Sequence, residues 1–168
     1  MKGAALLEKL LNRPGKLARF AVDNLLRTAI PFNAPHGFYF KKIDAHEVQI
    51  GLPNFPLNHN HLGGMHACAI ATLGEFCAGM TLVKNLGFRK YRFILSELRV
   101  KYHLQGRTSL TGIATLTAEE IARIKTELET QEKIFYPHTT RIFNAHGELV
   151  AEVESVWQLK SWDKVQLR

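Results

Sequence analysis

The chain has 168 residues, of which 46% are hydrophobic and 22% charged, and its formal net charge is +7. That length predicts one domain able to bury its own core, and the composition excludes wholesale disorder. No uninterrupted apolar run reaches the roughly eighteen residues that a membrane-spanning helix needs, so no integral membrane association is expected.

The N-terminus carries Ala4, Ala5, Leu6, Leu7, Leu10 and Leu11, but Glu8, Lys9, Arg13, Lys16 and Arg19 interrupt it. No clean apolar core with a small-residue cleavage site follows, so a secretory leader is not expected. From Lys2 to Ile30 the spacing is helical, with Leu6, Leu7, Leu10 and Leu11 on one face. Pro14 and Gly15 punctuate the run. A second stripe of Leu17, Phe20, Ala21 and Leu25 ends before Pro31. This predicts an N-terminal helical arm over residues 1–31, packed on a single domain over residues 32–168. A membrane-surface helix is the alternative.

Phe38, Phe40 and Ile43 precede a polar turn at Asp44 and Ala45, and Val48, Ile50 and Leu52 follow with period two, which predicts a strand pair. Pro53 to Leu62 reads as a loop. From Met65 to about Leu82 the chain is mostly apolar and too long for a strand. Gly64, Ala67, Ala71, Gly74 and Ala78 place small residues along one side of it, and apolar residues cover much of the rest. Those features predict a helix that starts near Gly64 or Met65 and is enclosed by a sheet. Tyr91 to His103 and the segment containing Leu110, Ile113 and Leu116 read as strands. Ala118 to Gln131 is charged and reads as a short helix or a mobile excursion. Ile134 to Phe143 and Leu149 to Leu159 form a hairpin around Asn144-Ala145-His146-Gly147. The fold class is α+β: an antiparallel sheet around a central buried helix.

Cys68 and Cys77 lie nine residues apart in the predicted helix, on opposite sides, so they cannot bridge each other. Free buried thiols fit a reducing cytoplasm, the expected location. The positive charge suits a polyanionic partner or a solvated surface. Zinc-finger spacing, an aromatic RNA-binding pattern and a convincing helix-turn-helix are all missing from the sequence, so nucleic acid is not an expected partner. His59, His61 and His66 raise a metal reading, but the loop offers no nearby acid; neither a metal nor any other cofactor is expected.

The informative stretch runs from Asn60 through Gly63, Gly64, His66, Ala67 and Cys68 to Glu75. Over roughly Phe38 to Trp157 the sequence resembles the hot-dog thioesterase superfamily, in particular its PaaI-like branch and the DUF4442 proteins. The branch carries an Asn, a Gly-rich turn with a His, and an acid nine residues after that His. Here these are Asn60, Gly63, His66 and Glu75. The resemblance implies a hot-dog fold and hydrolysis of an acyl-CoA or acyl-carrier-protein thioester without a cofactor. It assigns Glu75 as general base or nucleophile, the Ala67 amide as oxyanion donor, Asn60 as orienting group, and His66 to the catalytic turn. Gly63, Gly64 and Cys68, with Ser96 or Glu97 from the following strand, would line the substrate site.

Ala67 and Glu75 are eight residues apart, about 12 Å along a helix axis, so one helix cannot bring both to one thioester. The resemblance therefore implies a symmetric homodimer, or a tetramer built from it, with shared sites. Lys84, Arg89, Lys90 and Arg107 are candidates for coenzyme phosphates, or are plain surface charges. The family usually has Gly at the positions of Ala67 and Cys68, and its PaaI-like branch has Asp at the position of Glu75. These departures favour the alternative, a non-catalytic binder of acyl-CoA or another lipid-like ligand. His66 also fits a structural hydrogen-bonding residue at the turn, Glu75 a buried structural acid, and Cys68 a packed thiol.

Overall fold

The computed structural model describes residues 4–12 and 15–165. Lys2, Arg13 and Pro14, which the helical spacing includes, lie outside the described residues. Four helices, α1 (Ala4–Leu11), α2 (Lys16–Ala29), α3 (Ala67–Leu86) and α4 (Ala118–Thr130), accompany six strands. The strands are β1 (Tyr39–Ile43), β2 (Glu47–Leu52), β3 (Tyr91–Tyr102), β4 (Leu110–Thr115), β5 (Ile134–Phe143) and β6 (Leu149–Ser161). They form one sheet in the order β1-β2-β4-β5-β6-β3, and every neighbouring pair is antiparallel. The sheet curls round α3, which touches five of the strands, β2 to β6. This is the hot-dog arrangement.

The small residues of α3 are what allow the sheet so close. A Cβ at Gly74 would overlap the Val153 side chain of β6, and one at Gly79 would lie 2.8 Å from the Trp157 ring. At that contact Thr140 of β5 donates its hydroxyl to the Gly74 carbonyl at 2.8 Å. Facing β2 and β4, Cys77 is fully buried, and its Sγ donates to the carbonyls of Val48 at 3.3 Å and Gly112 at 3.4 Å. Cys68 is exposed, so the two cysteines are free and on different sides of the helix. By length and composition α3 could cross a membrane, but most of it is enclosed by the protein. Gly87 ends the helix with φ of 79°, a left-handed turn suited to glycine.

Several sequence expectations need correction. α3 begins at Ala67, not at Gly64 or Met65, because His66 caps it and the residues before are stitched into a loop. Its small residues do not share one sealed face: Ala67 is exposed and Ala71 half-buried. Of the two readings for the charged segment, Ala118–Thr130 takes the helical one. Thr117 and Glu120 form a reciprocal capping box at its start, and Ile124 and Leu128 are buried in a cluster with Trp157 and Leu159. In the arm, Leu7, Leu11, Val22 and Leu26 are buried with Phe38, Phe40, Phe76 and Met80. Leu17 and Phe20, expected to face the domain, are 82% and 67% exposed. The Asp23 carboxylate accepts the Phe40 amide of β1 at 2.9 Å and ties α2 to the sheet.

The Gly74 contact gives a stability test. Gly74→Ala should lower unfolding free energy by about 1–3 kcal/mol or more, through overpacking against Val153. Adding Val153→Ala should recover part of that loss in urea titrations. A neutral Gly74→Ala would show that helix and sheet are not in tight contact there.

Candidate functional site

The loop before α3 is built on Asn60. Its Oδ1 accepts the amides of Leu62 at 2.9 Å and Gly64 at 3.3 Å, and its backbone exchanges hydrogen bonds with Gly63 and Gly64. Gly63 has φ of 75°, the left-handed region that favours glycine. A Cβ on Gly64 would stand 3.0 Å from the Gln105 amide nitrogen and 3.2 Å from the Gly106 carbonyl. Met65 donates to the Gly106 carbonyl and His66 to the Asn58 carbonyl, each at 2.7 Å. The loop is thus tied to the segment that follows β3. The Asn60 side-chain oxygen is committed to this turn, while its Nδ2 has no hydrogen-bond partner among the described residues.

His66 is the N-cap of α3: its Nδ1 accepts the Cys68 amide at 3.1 Å. That bond requires Nδ1 without a proton and engages the imidazole in the turn. The structural role weighed for His66 is the one its geometry fits. Ala67 is the first helical residue, so its N–H has no intrahelical partner, and it points from the positive end of a long helix. Tyr102 of β3 donates its hydroxyl to the Ala67 carbonyl at 2.9 Å and so covers the first turn. Asn60, Ala67 and Tyr102 share a recess of about 280 Å³ with Met65, Ile70 and Gln105.

Further along α3, Cys68, Ala71, Thr72 and Glu75 recur at the three- and four-residue spacing of one helical face, and all are exposed or half-buried. This face is open. Beside it runs β3, the edge strand. Register with β6 sets Phe93, Leu95, Leu98, Val100 and Tyr102 opposite the buried Leu159, Trp157, Ser155, Val153 and Ala151. Those five β3 residues therefore face the α3 side, yet Leu95, Leu98 and Tyr102 are 36%, 41% and 46% exposed. The result is a groove with an apolar wall from β3 and a polar-flecked wall from α3.

Glu75 lies in this groove. Among the described residues its carboxylate has no hydrogen-bond or ion partner, and burial alone pushes its pKa up to about 7. Ser96 is the bulged residue of β3, where the register with β6 slips between Leu95 and Glu97. The slip returns Glu97 to the outer face, opposite Val156, so Glu97 does not turn toward Glu75. Both remain exposed.

Ala67 and Glu75 sit in one continuous helix, about 12 Å apart along its axis. The four basic candidates do not converge within the chain. Lys84, Arg89 and Lys90 border a recess with Glu8 and Asn12 at the far end of α3, where Lys84 donates to Asn12 at 2.6 Å. Arg107 lies at the front end and bonds Gln105 at 2.9 Å. His59 pairs with the Asn54 side chain, and among the described residues no group of three or more His, Cys, Asp or Glu is placed to hold a metal.

Tyr102 and Thr72 belong to the groove without having been singled out in the sequence. Tyr102 was legible as an alternating strand position. Thr72 was not, since nothing in an almost wholly apolar helix marks which face stays open.

The fold has solved counterparts. A Pseudomonas aeruginosa protein of unknown function, described as a probable thioesterase, is 27% identical, with a TM-score of 0.78 covering 89% of this chain and 97% of that one. A Haemophilus influenzae thioesterase is 10% identical, with a TM-score of 0.69 and coverage of 90% and 95%. A variant of a Staphylococcus aureus thioesterase is 14% identical, with a TM-score of 0.64 and coverage of 77% and 98%. No curated protein matches in sequence. The family model for the domain of unknown function DUF4442 matches residues 19–159, most of the domain and most of α2, and the chain therefore belongs to the DUF4442 family.

Proposed function

We propose that this protein is a thioester hydrolase that works as a homodimer on an acyl-CoA or acyl-carrier thioester. The observation that carries the reading is Glu75: a carboxylate in a groove, without a partner among the described residues, with a pKa raised to about 7 by burial. A base poised there removes a proton from water near neutral pH. Water oxygen attacks the thioester carbon as Glu75 takes its proton. The oxyanion rests on the Ala67 amide at the front of α3. Collapse breaks the C–S bond, and the Glu75 carboxyl returns the proton to the leaving thiolate. The products are a carboxylic acid and a thiol.

Because one helix holds both groups too far apart, the thioester must lie between the Ala67 end of one α3 and Glu75 of a second. The exposed inner face of β3 and its unpaired edge, twelve residues long, support a second copy there. The names of the structural neighbours support the thioester class.

Glu75→Gln should lower kcat by about 10²- to 10⁴-fold in a thiol-release assay with acyl-CoAs. For the wild type, kcat/KM should rise with pH through about 7 as Glu75 ionises. Ala67→Pro removes the amide at a position where helices accept proline, so it should fold and lose activity. Mixing the two inactive variants should restore activity by forming one intact site per mixed dimer. Failure to complement, with both variants folded and dimeric, would refute the shared site. Binding without turnover across chain lengths would select the non-catalytic alternative.

The same carboxylate leaves a mark on stability. His138 of β5 is buried, its Nε2 has no partner among the described residues, and burial lowers its pKa to about 4. Between about pH 5 and 6.5 the unfolded chain holds the His138 proton and the folded chain does not, so acidification destabilises. Glu75 has the opposite sign: the folded chain keeps its proton and the unfolded chain has lost it, so acidification stabilises. The two slopes, each about 1.4 kcal/mol per pH unit, should cancel in the wild type. Relative to wild type, Glu75→Gln should lose stability as pH falls and His138→Gln should gain it, measured by urea denaturation. Parallel slopes in the two variants would contradict the burial of these groups.

A further inference from the structure

The open face of α3 does not stop at Glu75. At 100° per residue Val83 lies within about 20° of Thr72 around the helix, three turns further along. Val83 opens onto a cavity of about 440 Å³. Its walls are almost wholly apolar: Met80 and Val83 of α3, Phe93 and Ile94 of β3, and Leu26 and Ile30 from the end of the arm. The charged side chain in this lining, Arg92, donates its Nη2 to Gln158 of β6 at 3.3 Å.

Two contacts fix the relative direction of β3 and α3. Tyr102, at the end of β3, meets Ala67 at the start of α3, and Phe93, near the start of β3, shares the cavity with Met80 and Val83 near the end of α3. The strand and the helix are therefore antiparallel. Glu75 and the Leu95–Leu98 wall lie between the two ends, and the cavity lies beyond Glu75 toward the end of α3, lined by Phe93 from the inner face of β3 and by Arg92 and Ile94 from its outer face.

We propose that this cavity receives the tail of a straight aliphatic acyl chain whose thioester lies at Glu75, and that the N-terminal arm is the roof of that chamber. This rests on the hydrolase reading above. The volume falls in the range of small-molecule pockets, and the lining has the apolar character a polymethylene chain needs. A polar or charged acyl group would leave its hydrogen-bonding groups unsatisfied against Met80, Phe93 and Ile30. Leu26 and Ile30 come from the arm, so the arm would set the limit on chain length.

The full-length protein would be assayed with acetyl-, hexanoyl-, decanoyl- and hexadecanoyl-CoA. Wild type should show kcat/KM rising with chain length until the chamber is filled. Ala29→Phe adds a ring at a lining position exposed on the arm and should leave folding intact. It should lower the decanoyl-to-acetyl ratio of kcat/KM by roughly tenfold or more. An unchanged ratio would overturn the chamber. If no thioester is hydrolysed, the hydrolase reading fails by itself. Calorimetric binding of non-hydrolysable decanoyl and acetyl thioethers of CoA then decides: a decanoyl preference that Ala29→Phe abolishes upholds the chamber, and equal binding by both proteins rejects it.

Discussion

The close approach of α3 to β6 governs the rest of the molecule. A helix wrapped by a sheet normally stands a full side-chain layer away. Here Gly74 and Gly79 let Val153 and the Trp157 ring press against the helix backbone. The Thr140 hydroxyl bonds the Gly74 carbonyl in the same place, and Cys77 bonds two strand carbonyls on another side. These contacts set both the rotation and the depth of α3. Once they are fixed, the side bearing Cys68, Thr72 and Glu75 has no strand left to cover it. The open face is what remains when an antiparallel sheet of six strands wraps a helix only part of the way round.

That incomplete wrapping connects fold to chemistry. A carboxylate on the enclosed side of α3 would be forced either to pair or to stay neutral. A carboxylate on a fully exposed side would titrate as in water. Glu75 sits between these limits, half-buried beside the apolar wall of β3. The first-turn amide of Ala67 owes its freedom to a different device: the Asn60 turn and the His66 cap end the loop without using that donor. Two separate pieces of local structure thus deliver an acceptor of protons and a donor of hydrogen bonds to one groove. They lie about 12 Å apart along α3, a separation that the proposed dimer would bridge.

Much of this was legible in the sequence. The period-two patterning of Val48, Ile50 and Leu52, the Asn144–Gly147 turn and the long apolar helix were all sufficient for the fold. Helix α4 was legible too, from Thr117 and Glu120 as a capping box before Ile121, Ile124 and Leu128, although charge in the segment obscured it. What patterning could not supply was rotation. The inward face of α2 is the one carrying Val22 and Leu26, with Asp23 bonded to the Phe40 amide, rather than the stripe containing Leu17 and Phe20. Likewise a single extra residue at Ser96 reverses the alternation of β3, so Glu97 leaves the groove that simple counting would give it. An apolar helix carries no period that distinguishes its open side, and Thr72 was invisible for that reason.

Glu75 also bears on why the groove exists at all. Raising its pKa from 4.5 to about 7 means that above neutral pH the folded chain holds a carboxylate it has not compensated. The cost is at most roughly 3–4 kcal/mol, less whatever water in the open groove relieves. A structural acid would have a partner, as Glu120 has in the Tyr136 hydroxyl and the Thr117 amide, and its pKa would fall, as that of Glu120 does. Lys84 and Arg92 reach Asn12 and Gln158 instead. An uncompensated carboxylate beside an apolar wall is a persistent expense to a marginally stable fold, and a thiol or an amide at that position would avoid it. Packing gives no reason for the acid, and the proton transfer proposed for it would supply one.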